Sequence, residues 1–148
     1  MRSALVLLLL ITQCASSHAA LGSLPSNFGV QQNGIKARSL AAASGAYHTV
    51  ETTLDSGTVV REFVNNSSGT VFAVSWDGPF MPDLQTLLGT NFSTLTDAAA
   101  SKPKAGHSQL SIDKQDVVIV SGGHMRAYTG RAWITSQFPA GVSATDID

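Results

Sequence analysis

The fold is decided by residues 47–76, which read YHTVETTLDSGTVVREFVNNSSGTVFAVSW. Three runs rich in β-branched and aromatic residues, at 47–53, 58–64 and 70–76, are separated by segments of Asp, Asn, Ser and Gly. Such runs favour strands, and the separating residue types tolerate the left-handed backbone of tight turns. The stretch therefore predicts three successive strands. Alternation along the third predicts that Phe72, Val74 and Trp76 share its core face.

A helical segment is predicted after these strands. Asp83 follows a proline, as at the start of many helices, and Leu84, Leu87 and Leu88 recur at helical spacing. Gly89 is a predicted helix end, after which the pattern indicates a second short helix to about residue 100. We expect these helices to cover the apolar face of the sheet.

Strand character returns in residues 108–112, 117–121 and 125–134, and Gly122-Gly123 is the predicted turn between the last two runs. The order of elements predicts an α+β domain at residues 46–134. Its mostly antiparallel sheet has about six strands, with a helical segment inserted between two three-stranded halves. An extended N-terminal arm at 20–45 precedes the domain, and a loosely held C-terminal tail at 135–148 follows it.

The N-terminus has the pattern of a secretory signal peptide. A basic residue, Arg2, precedes the apolar run ALVLLLLI at 4–11, and Ser17 and Ala19 are small residues at the positions that a signal peptidase reads. A membrane-spanning helix needs about 20 apolar residues, so this short run cannot cross a bilayer by itself. We expect a signal peptide at 1–19, cleavage after Ala19, and a periplasmic or secreted protein without a transmembrane segment.

The single cysteine, Cys14, lies inside this predicted signal peptide. Cleavage after Ala19 leaves 129 of the 148 residues, with no thiol for a disulfide, a metal or nucleophilic catalysis. A lipoprotein signal also ends in a cysteine after an apolar run, although Gln13 is larger than the residue preferred before it. Lipid anchoring at Cys14 therefore remains an alternative.

Charge and histidine spacing narrow the classes of partner and cofactor. The chain has 9 basic and 10 acidic residues, and the basic ones are scattered. Nucleic-acid binding needs clustered Lys and Arg, so we expect no nucleic-acid partner. The histidines that follow the signal peptide, His48, His107 and His124, lie far apart in sequence. They form no compact metal motif, and we predict neither a metal nor a cofactor.

The most suggestive stretch for a ligand site is SGGHMRAYTGRAW at residues 121–133. On a strand, His124, Arg126 and Tyr128 project to one side and place hydrogen-bond donors, a cation and an aromatic ring in one row. With Arg131 and Glu62, this row is suited to hold a carboxylate, a sugar or a partner peptide. The alternative is a solvated sheet face on which Arg126 or Arg131 pairs with an acid such as Glu62.

Several blocks resemble an uncharacterised bacterial family, mostly from Burkholderia-like proteobacteria, known as domain of unknown function 2844. They are ETTL at 51–54, SGTVVREF at 56–63, GTVFAVSW at 69–76, MPDL at 81–84, LLG at 87–89 and SGGHMR at 121–126. The resemblance covers nearly the whole chain after the predicted cleavage point. It implies a small exported protein of Gram-negative bacteria, and it assigns no activity, ligand or catalytic residue.

The sequence favours a non-catalytic periplasmic or secreted binding or accessory module over an enzyme, because no nucleophile signature is present. Its expected partner is an envelope protein or a cell-surface component. One alternative is a small hydrolase of envelope polymers with a site near His124, Arg126 and Tyr128. Another is a lipid-anchored envelope component. The strand order and the oligomeric state do not follow from the sequence.

Overall fold

The computed structural model describes residues 21–25, 36–41, 45–101, 109–114 and 116–147. The predicted signal peptide with Cys14, most of the predicted arm, and His107 lie outside these ranges. The helices and strands are β1 (Lys36–Ala41), β2 (Tyr47–Thr53), β3 (Val59–Asn65), β4 (Val71–Gly78), α1 (Leu84–Leu88), α2 (Phe92–Ser101), β5 (Gln109–Lys114), β6 (Val117–His124) and β7 (Ala127–Ile134).

The seven strands in the described ranges form one antiparallel sheet in the order β1-β2-β3-β4-β7-β6-β5. The predicted mostly antiparallel sheet is confirmed, with the helical segment between β4 and β5. The strand count is seven instead of about six, because β1 forms inside the segment predicted as an extended arm and pairs with β2. The strands before and after the helices meet where β4 pairs with β7.

The helical segment begins and ends where the sequence predicts. Asp83 caps α1: its Oδ1 accepts hydrogen bonds from the backbone N–H groups of Gln85 and Thr86, at 3.0 and 3.3 Å. The Thr86 hydroxyl donates to Asp83 Oδ2 at 2.6 Å and holds the pKa of this carboxyl below its ordinary value. At Gly89, where φ is +55°, α1 ends, and α2 starts three residues later.

The helices cover one face of the sheet, which we call the helix face, and the main core lies between them. Leu87, Leu88, Leu95 and Ala98 of the helices are buried there. The sheet contributes Val60, Val64, Val71, Val74, Trp76, Ile112, Ile119, Ala132 and Ile134. Trp76 lies opposite Gly130 of β7, and its indole occupies the space that a Cβ at Gly130 would need. This glycine is therefore required by close packing.

A β-bulge in β4 interrupts the expected alternation. Phe63 pairs with Ala73 and Val64 pairs with Val71, so Phe72 is an extra residue without a partner in β3. Val71 consequently joins Val74 and Trp76 in the main core, while Phe72 and Ala73 lie in a second cluster. The prediction that Phe72 shares a face with Val74 is wrong, because strict alternation does not hold across a bulge.

The second cluster lies on the opposite face of the sheet, which we call the groove face. Phe72 is its centre, and the ring of Phe138 lies 5.2 Å from the ring of Phe72, measured between centroids. Val142 and Ile147 pack into the same cluster, and Ile147 is fully buried. The prediction of a loosely held tail is wrong, because these widely spaced apolar residues of the tail cover the sheet.

The turn between β6 and β7 also differs from its prediction. The strand β6 continues through Gly122 and Gly123 to His124, which pairs with Ala127, so Met125 and Arg126 form a two-residue turn. Arg126 has a φ of +67° and Met125 is 90% exposed. Gly123, with φ +142°, lies against the backbone of β7, where a side chain would collide with it. Gly123 therefore serves close strand contact, and the glycine pair is not the turn.

Replacing Ile147 with alanine tests the attachment of the tail. We expect Ile147→Ala to lower the free energy of unfolding by about 2–5 kcal/mol, because a fully buried aliphatic side chain is lost. Urea unfolding of the mature domain measures the change. The exposed neighbour Thr145 provides the control, and Thr145→Ala should change the free energy by less than about 0.5 kcal/mol. Equal effects of the two substitutions would show that the tail is not packed.

Replacing Arg126 with glycine tests the position of the turn. Arg126→Gly should raise the free energy of unfolding by about 1 kcal/mol, because glycine adopts the left-handed backbone without a steric penalty. Ala127→Gly, one position later in β7, should lower it by roughly 0.5–1 kcal/mol. Thermal or urea unfolding of both variants gives the sign. A loss of stability in Arg126→Gly would place this residue in an extended strand.

Candidate functional site

The groove face has a covered half and an open half. The tail covers the half that contains Phe63, Phe72 and Ala73. The open half forms a groove of about 840 Å³ across five strands, with Ile147 at its border. The polar side chains that line it on this face are Arg61, Ser75, Asp77, Ser111, Thr129 and Arg131. The groove therefore combines polar side chains with apolar ones, and it borders an apolar cluster.

Three of these residues form a row across the sheet. Arg61 of β3 pairs with Ser75 of β4, and Ser75 pairs with Arg131 of β7. Paired residues in neighbouring strands project to the same face. Since neighbouring strands lie about 4.8 Å apart, the two arginine backbones are roughly 10 Å apart with Ser75 between them. We call this set the arginine row.

Arg61 is oriented by an ion pair with the neighbouring strand. Its Nε donates to Oε2 of Glu51 in β2 at 3.0 Å, and the two side chains are 33% and 26% exposed. A partly exposed pair of this kind adds only about 1 kcal/mol to stability. Its effect is geometric: one of the five N–H groups of the guanidinium is used, and the side chain is tied to β2, on the other side of β3 from Ser75.

Arg131 is held by the tail and by an aromatic ring. Its Nη1 donates to the backbone carbonyl oxygen of Ile147 at 3.2 Å. Its guanidinium lies 5.5 Å from the centroid of the Trp133 ring, within the range of a cation–π contact. The tail thus fixes a cation at the border of the groove as well as closing the apolar half.

Ser75 lies between the two arginines and is 7% exposed. Its Oγ is buried and makes no hydrogen bond to any residue that the structure describes. A buried hydroxyl without a partner costs about 1–3 kcal/mol, and most buried polar atoms have a partner. The centre of the arginine row therefore contains a hydrogen-bonding group whose capacity is unused within the described chain.

Asp77 gives the groove a carboxylate next to these cations. It is two residues from Ser75 in β4, so it projects to the same face, and it pairs with Thr129 of β7. Asp77 is exposed. The charged residues lining the groove are thus two arginines and one aspartate, a weakly positive set.

The structure separates Glu62 from Arg131, two residues that the sequence analysis grouped. Arg131 lines the groove. Glu62 pairs with Val50 and Val74 on the helix face and is 2% exposed. The alternative in which Arg131 pairs with Glu62 is therefore not formed, because adjacent residues of β3 alternate between faces and Arg61, not Glu62, shares a face with Arg131.

The predicted row of His124, Arg126 and Tyr128 is also not formed. Arg126 lies in the turn. His124 pairs with Ala127, whereas Tyr128 pairs with Gly123, so His124 and Tyr128 project to opposite faces. The error follows from the misplaced turn, since a strand starting at residue 125 would have put Arg126 and Tyr128 on one side. All three remain at one end of the sheet.

Sequence reasoning missed Ser75, Arg61, Asp77 and Thr129 as groove residues. Alternation along β4 separates Ser75 from the large side chains of Val74 and Trp76, and it marks Ser75 as lying off the main core. This alternation is the only sequence signal that points to Ser75. The proximity of Arg61 and Arg131 depends on the order of β3, β4 and β7, which alternation within single strands cannot give.

In the described ranges, no three His, Cys, Asp or Glu side chains come together as a metal site would require. No helix in the same ranges combines the length and the hydropathy that a membrane-spanning helix needs.

Comparison with known proteins identifies the family of the chain. Neither the curated proteins nor the solved structures gave a significant match. A family model described as "Protein of unknown function (DUF2844)" matches residues 17–147. This range includes every strand of the sheet, both helices and the groove. The chain therefore belongs to the DUF2844 family of proteins of unknown function.

Proposed function

We propose that this chain is an exported, non-catalytic binding module of a bacterial cell envelope, and that it holds a protein or cell-surface partner in the groove. The observation that carries the proposal is the open half of the groove face. It is concave, and the arginine row and Asp77 lie along it. The helix face is occupied by the core, so the groove face is the sheet surface on which a partner can bind.

The construction of the groove supports binding. Its polar side chains project from paired strands, which place groups more accurately than loops do. Arginine is enriched at binding interfaces, where it combines several donors with a planar surface. Both arginines here are already oriented, Arg61 by Glu51 and Arg131 by Ile147 and Trp133. Such preorganisation reduces the side-chain entropy that the two arginines lose when a partner binds.

The proposal of export is supported by the N-terminal pattern and by Leu21. Leu21 follows the predicted cleavage site by two positions and is 2% exposed. Its N–H donates to the carbonyl oxygen of Leu87, and the next residue donates to the carbonyl oxygen of Val71. The domain thus uses residues directly after the signal pattern, which is the arrangement expected when the signal is removed after Ala19.

The hydrolase alternative required His124, Arg126 and Tyr128 in one pocket. His124 and Tyr128 are on opposite faces, and Arg126 is in an exposed turn. None of the three lines the groove. We therefore favour binding over hydrolysis.

Export and processing are checked by expressing the full chain in a Gram-negative host and sequencing the N-terminus of the protein recovered from the periplasm. We expect Ala20 as the first residue. An unprocessed chain in the cytoplasm would contradict export. A mature chain that begins at Cys14 and incorporates labelled fatty acid would replace the proposal with the lipid-anchored alternative.

Partner binding is checked by immobilising the mature domain and passing native envelope extract over it. We expect a component that is retained by the wild type and by Arg126→Gln, and lost with Arg61→Gln and Arg131→Gln. Arg126→Gln is the matched control, since it removes the same charge outside the groove. Thermal unfolding confirms that each variant is folded. Retention that is equal for all four proteins would contradict the use of the groove.

A further inference from the structure

The centre of the arginine row combines two features that point to the chemistry of a ligand. The first is the buried Ser75 Oγ, which has no hydrogen-bond partner in the described chain. The second is the pair of guanidinium groups on the strands to either side, Arg61 and Arg131, in register with Ser75. The Ser75 hydroxyl and both guanidinium groups can donate hydrogen bonds. A ligand group that sits between the two arginines therefore meets donors from all three side chains.

We propose that this row binds the carboxylate group of a ligand, a proposal that rests on the groove being the binding site. A guanidinium presents its N–H groups as a planar fork that matches the two oxygens of a carboxylate. Arg131 supplies this fork at the border of the groove. Arg61, on the other side of Ser75, supplies a second positive charge that attracts the carboxylate, and Ser75 Oγ donates a further hydrogen bond to it.

Charge balance favours a singly charged ligand over a polyanion. Asp77 projects into the same groove two residues from Ser75, and Glu51 already neutralises part of the charge of Arg61. With Glu51 counted, the two arginines and the two carboxylates around the row sum to zero, so each additional negative charge on a ligand is less favourable than the first. A polyphosphate or nucleic acid would place further negative charges near Asp77, where like charges repel.

The contacts of the protein itself resemble the proposed interaction. Arg131 already donates to an acceptor oxygen, the backbone carbonyl of Ile147, at 3.2 Å. This contact shows that the Arg131 guanidinium is positioned to donate to an oxygen atom at the border of the groove. Ser75 Oγ is buried in the unliganded protein, so a ligand reaches it when neighbouring side chains move, and exposed side chains change rotamer within picoseconds to nanoseconds.

Ser75→Ala separates this role from a structural one. In the unliganded protein the hydroxyl has no partner among the described residues, so its removal should leave the melting temperature unchanged or raise it. In the liganded protein it makes a charge-assisted hydrogen bond, so its removal should weaken binding about tenfold. A serine needed for the fold would show the opposite pattern, with lower stability and no specific loss of affinity.

The test is a titration of the mature domain followed by two-dimensional NMR, with N-acetylglycine as the carboxylate probe. N-acetylglycinamide is the neutral control of nearly the same shape. We expect saturable shifts of the backbone signals of Ser75 and Arg131 and of the Arg61 Nε–H signal with the acid only. Ser75→Ala should weaken this binding about tenfold and Arg131→Gln should abolish it. The controls Ser67→Ala and Arg126→Gln, both at exposed turn positions, should bind as the wild type does.

Four results would overturn the inference. Equal shifts with the acid and the amide would show that the carboxylate is not recognised. Unchanged affinity in Ser75→Ala would show that the hydroxyl serves bound water only. Inorganic phosphate that competes as well as N-acetylglycine would show a general anion site.

If the envelope component is retained through the groove arginines while N-acetylglycine fails to bind, this inference fails and the proposed function stands. If N-acetylglycine binds but no envelope component is retained, the proposed function fails and this inference stands.

Discussion

The pairing of β4 with β7 holds the two halves of the sheet together, and the rest of the structure depends on its register. On the helix face it places Val74 beside Ala132, and Trp76 over Gly130, so that the indole fills the space left by the glycine. On the groove face the same register places Ser75 beside Arg131. A shift of one residue would exchange the two faces and destroy the core and the groove together.

Much of the fold follows from local sequence patterns. The run at 47–53 is β2 as observed, and the helix start at Asp83 and helix end at Gly89 are correct. These features depend on neighbouring residues, which the sequence shows directly. The short edge strand β1 lacks a clear period, and its pairing with β2 is what makes it a strand. The packed tail was missed because its apolar residues are spaced too widely to form a pattern, although each packs into the cluster that contains Phe72.

The candidate site was harder to predict, because it is assembled across strands. Only Arg131 of the predicted residues lines the groove. The glycines at 122 and 123 suggested a turn, and the true turn at Met125 and Arg126 uses a left-handed arginine, which residue preferences disfavour. Arg61 and Ser75 are brought to Arg131 by strand order alone, and strand order depends on which distant runs pair.

The bulge at Phe72 has a consequence for how chains of this family can differ in length. Removing a residue elsewhere in β4 would turn every following side chain to the wrong face. At the bulge the extra residue has no partner in β3, so its loss would restore regular alternation and leave Ala73, Ser75 and Asp77 on their present side. The aromatic cluster would lose its central ring, but the arginine row would survive. A gap tolerated within this strand is therefore confined to the bulge.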